Sequence, residues 1–251
     1  MELSFQAVAV VSLLFLGVAF LYSSVGHGGA SGYLAVLSFF AFAPTFMSTT
    51  ALILNILVSA TALIAFSKAK HLELGLTWPF VVTSVPAAFL GGVAPVSPRT
   101  YQLILAVVLL IAGLRFLLEI RSSKDESVLR IPSLLISLPV GALVGFVSGL
   151  VGVGGGIFLS PLILMMRWAD AKRTAATSAG FILVNSISGV FGRVTAGTFA
   201  PGPLLPFLIA AFIGGLLGSH FGAVRYSGKT IRRLLGVVLL VASAKLFLAQ
   251  I

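Results

Sequence analysis

Ten apolar segments, separated by glycine, proline and charged residues, follow one another along the 251 residues of this chain. They run approximately over residues 5–25, 30–43, 46–66, 75–94, 100–120, 132–151, 156–168, 172–192, 203–222 and 230–249. A helix that crosses a membrane needs about 20 apolar residues. Eight segments have that length, whereas the second and the seventh do not. The pattern predicts an all-α polytopic membrane protein in which the two short segments are re-entrant or half-membrane helices.

A glycine cluster stands directly before each short segment. Gly149-Leu150-Val151-Gly152-Val153-Gly154-Gly155-Gly156 precedes the seventh segment, and Ser24-Val25-Gly26-His27-Gly28-Gly29-Ala30 precedes the second. A helix break inside a membrane persists only where protein or an aqueous cavity satisfies the freed backbone groups. Two matching breaks, one in each half of the chain, are typical of a transport site near the membrane centre.

Composition supports a membrane location and excludes several classes of function. Hydrophobic residues make up 59% of the chain and charged residues 9%, whereas a soluble domain has about 25% charged residues. The absence of cysteine excludes disulfides and thiolate metal or redox sites. We therefore predict no cofactor, no metal site and no nucleic-acid partner despite the net charge of +10. The expected partners are a small anionic substrate and the lipid bilayer, and a homodimer remains open.

The order of segments repeats between the two halves. The string from Ala106 to Arg115 in the fifth segment resembles the string from Gly236 to Lys245 in the tenth, and the glycine clusters align at a similar offset. We divide the chain into a first transmembrane repeat (1–121), a basic cytoplasmic linker (122–131) and a second repeat (132–251). Glycines at four-residue spacing, Gly141 to Gly149 and Gly214 to Gly222, favour close helix packing.

The distribution of Lys and Arg predicts how the halves are oriented. If each broken pair of segments returns to its starting side as a hairpin, the bases divide 13 to 3 between the two faces. The minority face then holds only Arg99, Arg193 and Lys245. By the positive-inside rule, this predicts inverted repeats with both termini outside the cytoplasm of a bacterial-type inner membrane. We interpret Arg99 and Arg193 as snorkelling side chains at the outer face.

The helix N-termini at the two breaks predict an anion site, because unpaired N–H groups and the helix dipole attract negative charge there. Neutral polar side chains on the third and eighth segments suit an oxyanion, although interhelical hydrogen bonding is the alternative for each of them. His27 is either a proton relay or anion ligand, or a neutral hydrogen-bonded loop residue. No Asp or Glu lies at the middle of a segment. The predicted substrate-binding residues are Ser24, Gly26, His27, Gly28, Gly29, Ser31, Thr50, Asn55, Gly154, Gly155, Gly156, Thr177, Ser178 and Asn185.

The second glycine cluster, with Pro161 five residues after Gly156 and with Ala176-Thr177-Ser178 in the eighth segment, resembles the sulfite exporter TauE/SafE family of membrane permeases. The resemblance extends over nearly the whole chain. It implies transport of sulfur-containing anions such as sulfite, thiosulfate, sulfonates and related carboxylates. His27 and Ala30 depart from the glycine run in the first cluster.

The leading hypothesis is a secondary transporter for a small organosulfur anion or sulfur oxyanion that works by alternating access around a midplane site. An anion channel with the same site is the main alternative. A rival from another class is an intramembrane serine protease, because Gly29-Ala30-Ser31-Gly32 matches a Gly-x-Ser-Gly element and His220 follows later. We favour a protein that is not an enzyme and has no catalytic residues.

Overall fold

The computed structural model of the protein describes residues 5–40, 42–118, 130–201, 204–224 and 229–249. In these ranges the chain forms ten helices and no strands, so the all-α prediction is confirmed. The helices are α1 (Phe5–Ser23), α2 (Ala30–Phe39), α3 (Pro44–Lys68), α4 (Leu74–Val93), α5 (Pro98–Leu117), α6 (Leu134–Val151), α7 (Gly156–Met165), α8 (Ala171–Thr195), α9 (Leu204–Val224) and α10 (Lys229–Leu248).

Each helix falls on one of the ten predicted segments. Within the described residues, seven helices are long and apolar enough to cross a membrane, namely α1, α3, α4, α5, α6, α8 and α9. The described side chains of α10 include the apolar stretch Leu239–Leu248. The chain is therefore a multi-pass membrane protein. Most of the predicted linker at 122–131 lies outside the described residues.

The two short helices, α2 and α7, have ten residues each and begin at glycines that adopt a left-handed backbone conformation. Gly29 precedes α2 with φ 98°, and Gly155 precedes α7 with φ 82°. Gly152 ends α6 in the same conformation, with φ 90°. A side chain at such a φ is strained, so glycine is the residue that lets the chain turn here. The predicted half-length helices are confirmed.

Both broken pairs fold back on themselves as hairpins. In the first pair, Ser31 of α2 contacts Tyr22 near the end of α1, and the Tyr33 ring lies 4.9 Å from that of Phe15, two turns earlier in α1. These contacts show that the two helices run antiparallel. In the second pair, the amide of Arg130, before α6, donates to the carbonyl of Trp168, after α7, at 2.8 Å. This pair therefore begins and ends on the same side of the bundle.

The glycine stripes pack long helices of one half against those of the other. A Cβ at any stripe position would meet backbone atoms of the neighbouring helix, so only glycine permits this approach, and the packing prediction is confirmed. On α6, Gly141, Gly145 and Gly149 lie against Phe80, Ser84 and Ala88 of α4. On α9, Gly214 and Gly218 lie against Leu16 and Phe20 of α1, and Gly222 lies against Ser24, directly after α1. In both pairs the residue numbers rise together, so the paired helices run parallel.

Helices α3 and α8 cross the middle of the molecule in opposite directions. Leu52 of α3 approaches Gly189 of α8, whereas Leu63, three turns further along α3, approaches Gly180. Each of these helices has 25 residues. Their central turns therefore lie side by side, and both hairpins pack against them.

Candidate substrate site at the two helix breaks

The two glycine breaks meet at one side chain, Asn55, at the middle of α3. Its Oδ1 accepts a hydrogen bond of 3.1 Å from the backbone N–H of Ala30, the first residue of α2. Its Nδ2 donates at 3.2 Å to the carbonyl of Val153, in the break before α7. Asn55 is fully buried. One amide group thus satisfies a freed donor of the first break and a freed acceptor of the second.

Glycine is required around Asn55 because no space remains for a side chain. A Cβ at Gly154 would lie 2.5 Å from Asn55 Nδ2 and 2.8 Å from a methyl group of Ile182 on α8. A Cβ at Gly28 would collide with Asn55 Oδ1. Gly154 also has a left-handed backbone with φ 77°. Gly28 and Gly154, one from each cluster, thus come together against Asn55 and Ile182. Gly26 lies instead against Ala175 near the start of α8, and Gly29 against Tyr33 of α2.

His27 connects the first break to the second hairpin. Its Nε2 lies 3.1 Å from Ser160 Oγ on α7, and Ser160 Oγ lies 2.6 Å from Ser178 Oγ on α8. Its Nδ1 lies 3.0 Å from the carbonyl oxygen of Val25. His27 is 9% exposed and both serines are buried. A histidine from the first half and two serines from the second therefore form one hydrogen-bonded chain.

Ser160 belongs to this arrangement and is not among the residues that the sequence predicts for the site. It lies one helical turn after Gly156, so its side chain falls on the same face of α7 as the start of that helix. The pattern of polar and apolar positions along α7 does not indicate that Ser160 faces the site, because every position of α7 except Ser160 and Gly156 is apolar or proline. A single serine in such a short helix is the available sequence signal.

We call the place where the two breaks meet, around Asn55, Ser160 and Ser178, the junction. The remaining predicted side chains divide between this junction and its surroundings. Ser31 bonds to Tyr22 Oη at 2.9 Å, and Thr177 accepts from Thr77 of α4 at 3.2 Å. Ser24 bonds to the Leu21 carbonyl in its own turn and packs at the α1–α9 contact, so the structure does not bring it to the junction.

Three buried uncharged polar groups of α3 and α8 have no hydrogen-bond partner in the described residues. They are Thr50 Oγ1, Asn185 Oδ1 and Ser186 Oγ. Asn185 of α8 is also a buried asparagine, yet its Nδ2 only donates to the Phe181 carbonyl of its own helix, at 2.9 Å. A Cβ at Gly154 would lie 3.2 Å from Ser186 Oγ, so this free hydroxyl lies beside the second break. Unpaired buried polar groups cost free energy, which makes a bound ligand or a second conformation favourable here.

The interpretation of Arg193 as a snorkelling side chain is wrong. Arg193 is 6% exposed, and its Nη2 donates to the carbonyls of Gly149 at 3.0 Å and Leu150 at 2.7 Å. Tyr101 Oη donates to the next carbonyl, that of Val151, at 3.1 Å. The end of α6 leaves these carbonyls without intrahelical partners, and the guanidinium satisfies two of them. Arg99, in contrast, is exposed.

The described acidic residues lie at helix ends and not at the junction. Asp170 caps the start of α8 by accepting from the amides of Lys172 and Arg173. Arg173 Nε lies 3.5 Å from a carboxylate oxygen of Asp170 and 3.5 Å from one of Glu73, which precedes α4. None of the ten helices contains Asp or Glu. The junction is therefore lined by neutral polar groups and backbone.

The serine protease hypothesis finds no geometric support in the described residues. The hydroxyl of Ser31 donates to Tyr22, and His220 lies exposed on α9 beside the ring of Phe221. No hydrogen bond joins the serine to that histidine. A serine nucleophile needs its base within hydrogen-bond reach, and this pair lacks that contact.

Apolar spanning helices and two broken hairpins that meet at a buried neutral junction define a membrane transporter. The chain belongs to the Sulfite exporter TauE/SafE family, whose family model matches residues 11–246. The resemblance seen in the glycine motif is thereby confirmed.

Several curated proteins are similar to this chain. The probable membrane transporter protein y4hK of Sinorhizobium fredii is 36% identical over 94% of this chain and 96% of its own length. The Sulfite exporter TauE/SafE family protein 1 of Arabidopsis thaliana is 34% identical over 33% of this chain and 18% of its own length. The probable membrane transporter protein YunE of Bacillus subtilis is 27% identical over 44% of this chain and 40% of its own length. No solved structure matches the chain significantly.

Proposed function

We propose that this protein is a secondary transporter of a small sulfur oxyanion or organosulfur anion, which binds where the two helix breaks meet. The observation that carries the proposal is the start of α7 at the centre of the bundle. Gly155 and Gly156 supply no side-chain cap, so the first amides of α7 remain available to a ligand. The positive end of the helix dipole favours an anion at this position.

Neutral donors surround this helix start. A Cβ at Gly156 would lie 3.6 Å from the Cβ of Ser178, so that hydroxyl is next to the first turn of α7. Ser186, beside Gly154, has a free hydroxyl. Hydroxyl and amide donors bind oxyanions without adding a fixed charge, which leaves the bound anion able to dissociate. The absence of carboxylates from the helices removes the repulsion that an anion would otherwise meet.

Passage through this site requires a conformational change, because the junction residues Asn55, Ser160 and Ser178 are buried. The antiparallel crossing of α3 and α8 supports inverted repeats, in which the two hairpins enter from opposite membrane faces. In that arrangement, movement of one hairpin opens the site to one side and movement of the other opens it to the opposite side. This is alternating access around a fixed site.

The proposed location is a bacterial-type inner membrane with both termini outside the cytoplasm. The 13 to 3 division of Lys and Arg supports this orientation through the positive-inside rule. The identity and coverage shared with the Sinorhizobium fredii transporter support a transport function for the whole chain.

Reconstitution of the purified protein tests the proposal. Thermal unfolding is first measured with thiosulfate, sulfite, methanesulfonate and small carboxylates, since a ligand at about 100 times its Kd stabilises the folded state by about 2.7 kcal/mol. We expect at least one sulfur anion to raise the unfolding temperature. Proteoliposomes loaded with that anion should then exchange it for the labelled anion outside.

Uptake of the labelled anion while the net gradient of that anion points outward distinguishes a transporter from an anion channel. Flux through a channel only follows the net gradient of the anion. Protein-free liposomes provide the control. The proposal fails if none of the sulfur anions stabilises the protein and none of them enters the proteoliposomes.

A further inference from the structure

The carbonyl groups at the end of α6 are bound by two side chains from distant helices. The last four carbonyls of a helix have no partner within that helix. In α6 the first of them, that of Ser148, accepts from the amides of Gly152 and Val153 at 2.8 and 3.2 Å. The next two accept from Arg193 Nη2, and the last accepts from Tyr101 Oη. All four are therefore satisfied, but within the described residues three of them depend on α8 and α5.

The end of α1, before the first break, needs no distant side chain for its carbonyls. Its last four carbonyls, in residues 20–23, accept hydrogen bonds from residues 24–27, which follow directly in the chain. The first break therefore satisfies the helix before it by itself. The second break follows a helix whose end is held by two other helices.

The second break has little conformational preference of its own. Four residues, 152–155, separate the end of α6 from the start of α7. Three of them are glycines with left-handed backbones, namely Gly152, Gly154 and Gly155. Glycine adopts this conformation freely, but it adopts others as freely, so these residues alone do not fix the direction of α7. The contacts that hold the end of α6, together with the bond from Asn55 to Val153, determine where α7 begins.

The charge of Arg193 suits this place. The C-terminal end of a helix carries a partial negative charge, which favours a cation there. Arg193 is in the last turn of α8, whereas Asp170 caps the opposite end of that helix. The two carbonyls of α6 thus compensate a buried guanidinium that would otherwise be costly. Helix α8 is itself fixed at this point, because a Cβ at Gly192 would collide with the Phe89 carbonyl of α4.

We propose that Arg193 and Tyr101 are positioning residues of the anion site, and we call this pair the α6 clamp. By holding the end of α6, the clamp fixes the glycine break and thereby the first amides of α7, to which the anion binds. This inference rests on the proposed function and adds the side chains that preorganise its site. Preorganisation raises affinity, because less ordering has to accompany binding.

Two single-cysteine reporters measure whether the clamp acts on the second break alone. The chain has no cysteine, so Val153→Cys and Ala30→Cys each introduce one thiol. Val153 is 4% exposed and Ala30 2%, and the backbone of each bonds to Asn55. Because both positions are buried, N-ethylmaleimide reacts with each thiol only when the surrounding break opens. The reporters are therefore matched, one at each break.

Loss of the clamp should open the second break and leave the first closed. Tyr101→Phe removes only the hydroxyl and leaves the Val151 carbonyl unpaired, so Val153→Cys should react about tenfold faster in this background. Arg193→Gln removes the charge and shortens the side chain, which should accelerate the reaction further. Arg193→Lys keeps a charged donor and should restore part of the protection. Ala30→Cys should react at an unchanged rate in all three backgrounds. The rates are measured on the purified protein without anion.

Anion titration of the same clamp variants, without reporter cysteines, measures preorganisation of the site. The ligand is whichever of thiosulfate, sulfite and methanesulfonate stabilises the unaltered protein most. We expect a several-fold loss of affinity in Tyr101→Phe, a larger loss in Arg193→Gln and partial recovery in Arg193→Lys. Ser243→Ala is the matched control, because its buried hydroxyl also donates to a carbonyl of another helix, that of Ala106 in α5, but away from either break. It should leave the affinity unchanged.

Three results would overturn the α6 clamp while the proposed function stands. Equal acceleration at both reporters would show that the variants loosen the whole protein. An unchanged rate at Val153→Cys would show that the clamp does not hold the break, and an unchanged anion affinity would show that it does not position the site. Failure of every sulfur anion to bind the unaltered protein would instead contradict the proposed function, and the reporter rates would still decide whether the clamp holds the second break.

Discussion

At the scale of single residues, the two buried asparagines Asn55 and Asn185 have different roles. Asn55 joins the start of α2 to the break before α7. Asn185 bonds only within α8 and leaves its oxygen unpaired. In the described conformation Asn55 therefore joins the two hairpins, whereas Asn185 bonds to neither.

Asn55→Ala should destabilise the protein more than Asn185→Ala. Removal of Asn55 leaves the Ala30 amide and the Val153 carbonyl unpaired in a buried place, and each such group costs about 1–3 kcal/mol. Asn185→Ala removes one bond within a helix together with an unpaired oxygen, and should change stability by less than about 1 kcal/mol. Unfolding of both purified variants by heat measures the difference. Equal losses would show that Asn55 does not hold the hairpins together.

The sequence predicts which residues are polar and central but not which of them touch. Asn55 could be selected because it is an amide in the middle of an apolar helix. The burial of Arg193 could not be predicted, because an arginine in the last turn of a spanning helix is equally compatible with snorkelling. Its partners, the last carbonyls of α6, are 43 or more residues away in sequence. Only the fold brings such groups together.

At the scale of elements, the breaks before α2 and α7 depend on glycine for two separate reasons. The left-handed backbone strains any other residue, and the crowding around Asn55 excludes a Cβ. The glycine clusters and the shortness of the following segments are both visible in the sequence, which explains why these elements can be predicted within a few residues. The hairpin direction follows from charge and could not follow from hydropathy alone.

Gly154→Ala should reduce transport strongly, because it combines backbone strain of about 1–3 kcal/mol with a collision against Asn55. Gly197→Ala is a matched control for strain alone, since Gly197 has φ 66° but no atom lies within 4 Å of the position that a Cβ would take there. Gly17→Ala, with open space and no left-handed backbone, should leave transport unchanged. Anion uptake by proteoliposomes is normalised to the amount of protein inserted. Equal uptake by the Gly154 and Gly197 variants would exclude the crowded junction as the cause.

At the scale of the whole molecule, long helices of each half pack against long helices of the other half; we call this arrangement an exchange of partners. Helix α4 of the first half packs on α6 of the second, and α9 of the second packs on α1 of the first. The central helices α3 and α8 pack on each other in opposite directions. The proposed inverted repeat would relate these two pairs of helices and the glycine stripes on α6 and α9.

Labelling of single cysteines should place the C-terminus outside the cytoplasm and the central linker inside it. The chain contains no cysteine, so Gln250→Cys and Ser123→Cys each introduce a unique thiol. We expect a membrane-impermeant maleimide to label Gln250→Cys in intact cells, and Ser123→Cys only after permeabilisation, because the basic linker follows the positive-inside rule. The reverse pattern would contradict the proposed orientation, and the cysteine-free chain reports background labelling.

The exchange of partners between the halves also determines when the chain can assemble during synthesis. Helix α1 ends at Ser23, but the glycine face of α9 that packs against it belongs to a helix that begins at Leu204. A ribosome therefore completes almost the whole chain before α1, which already packs on α2, acquires α9 as a neighbour. Until then the face of α1 that receives these glycines must be covered by lipid or by the insertion machinery. Assembly of this protein is consequently a late, post-insertion event in which neither half can finish alone.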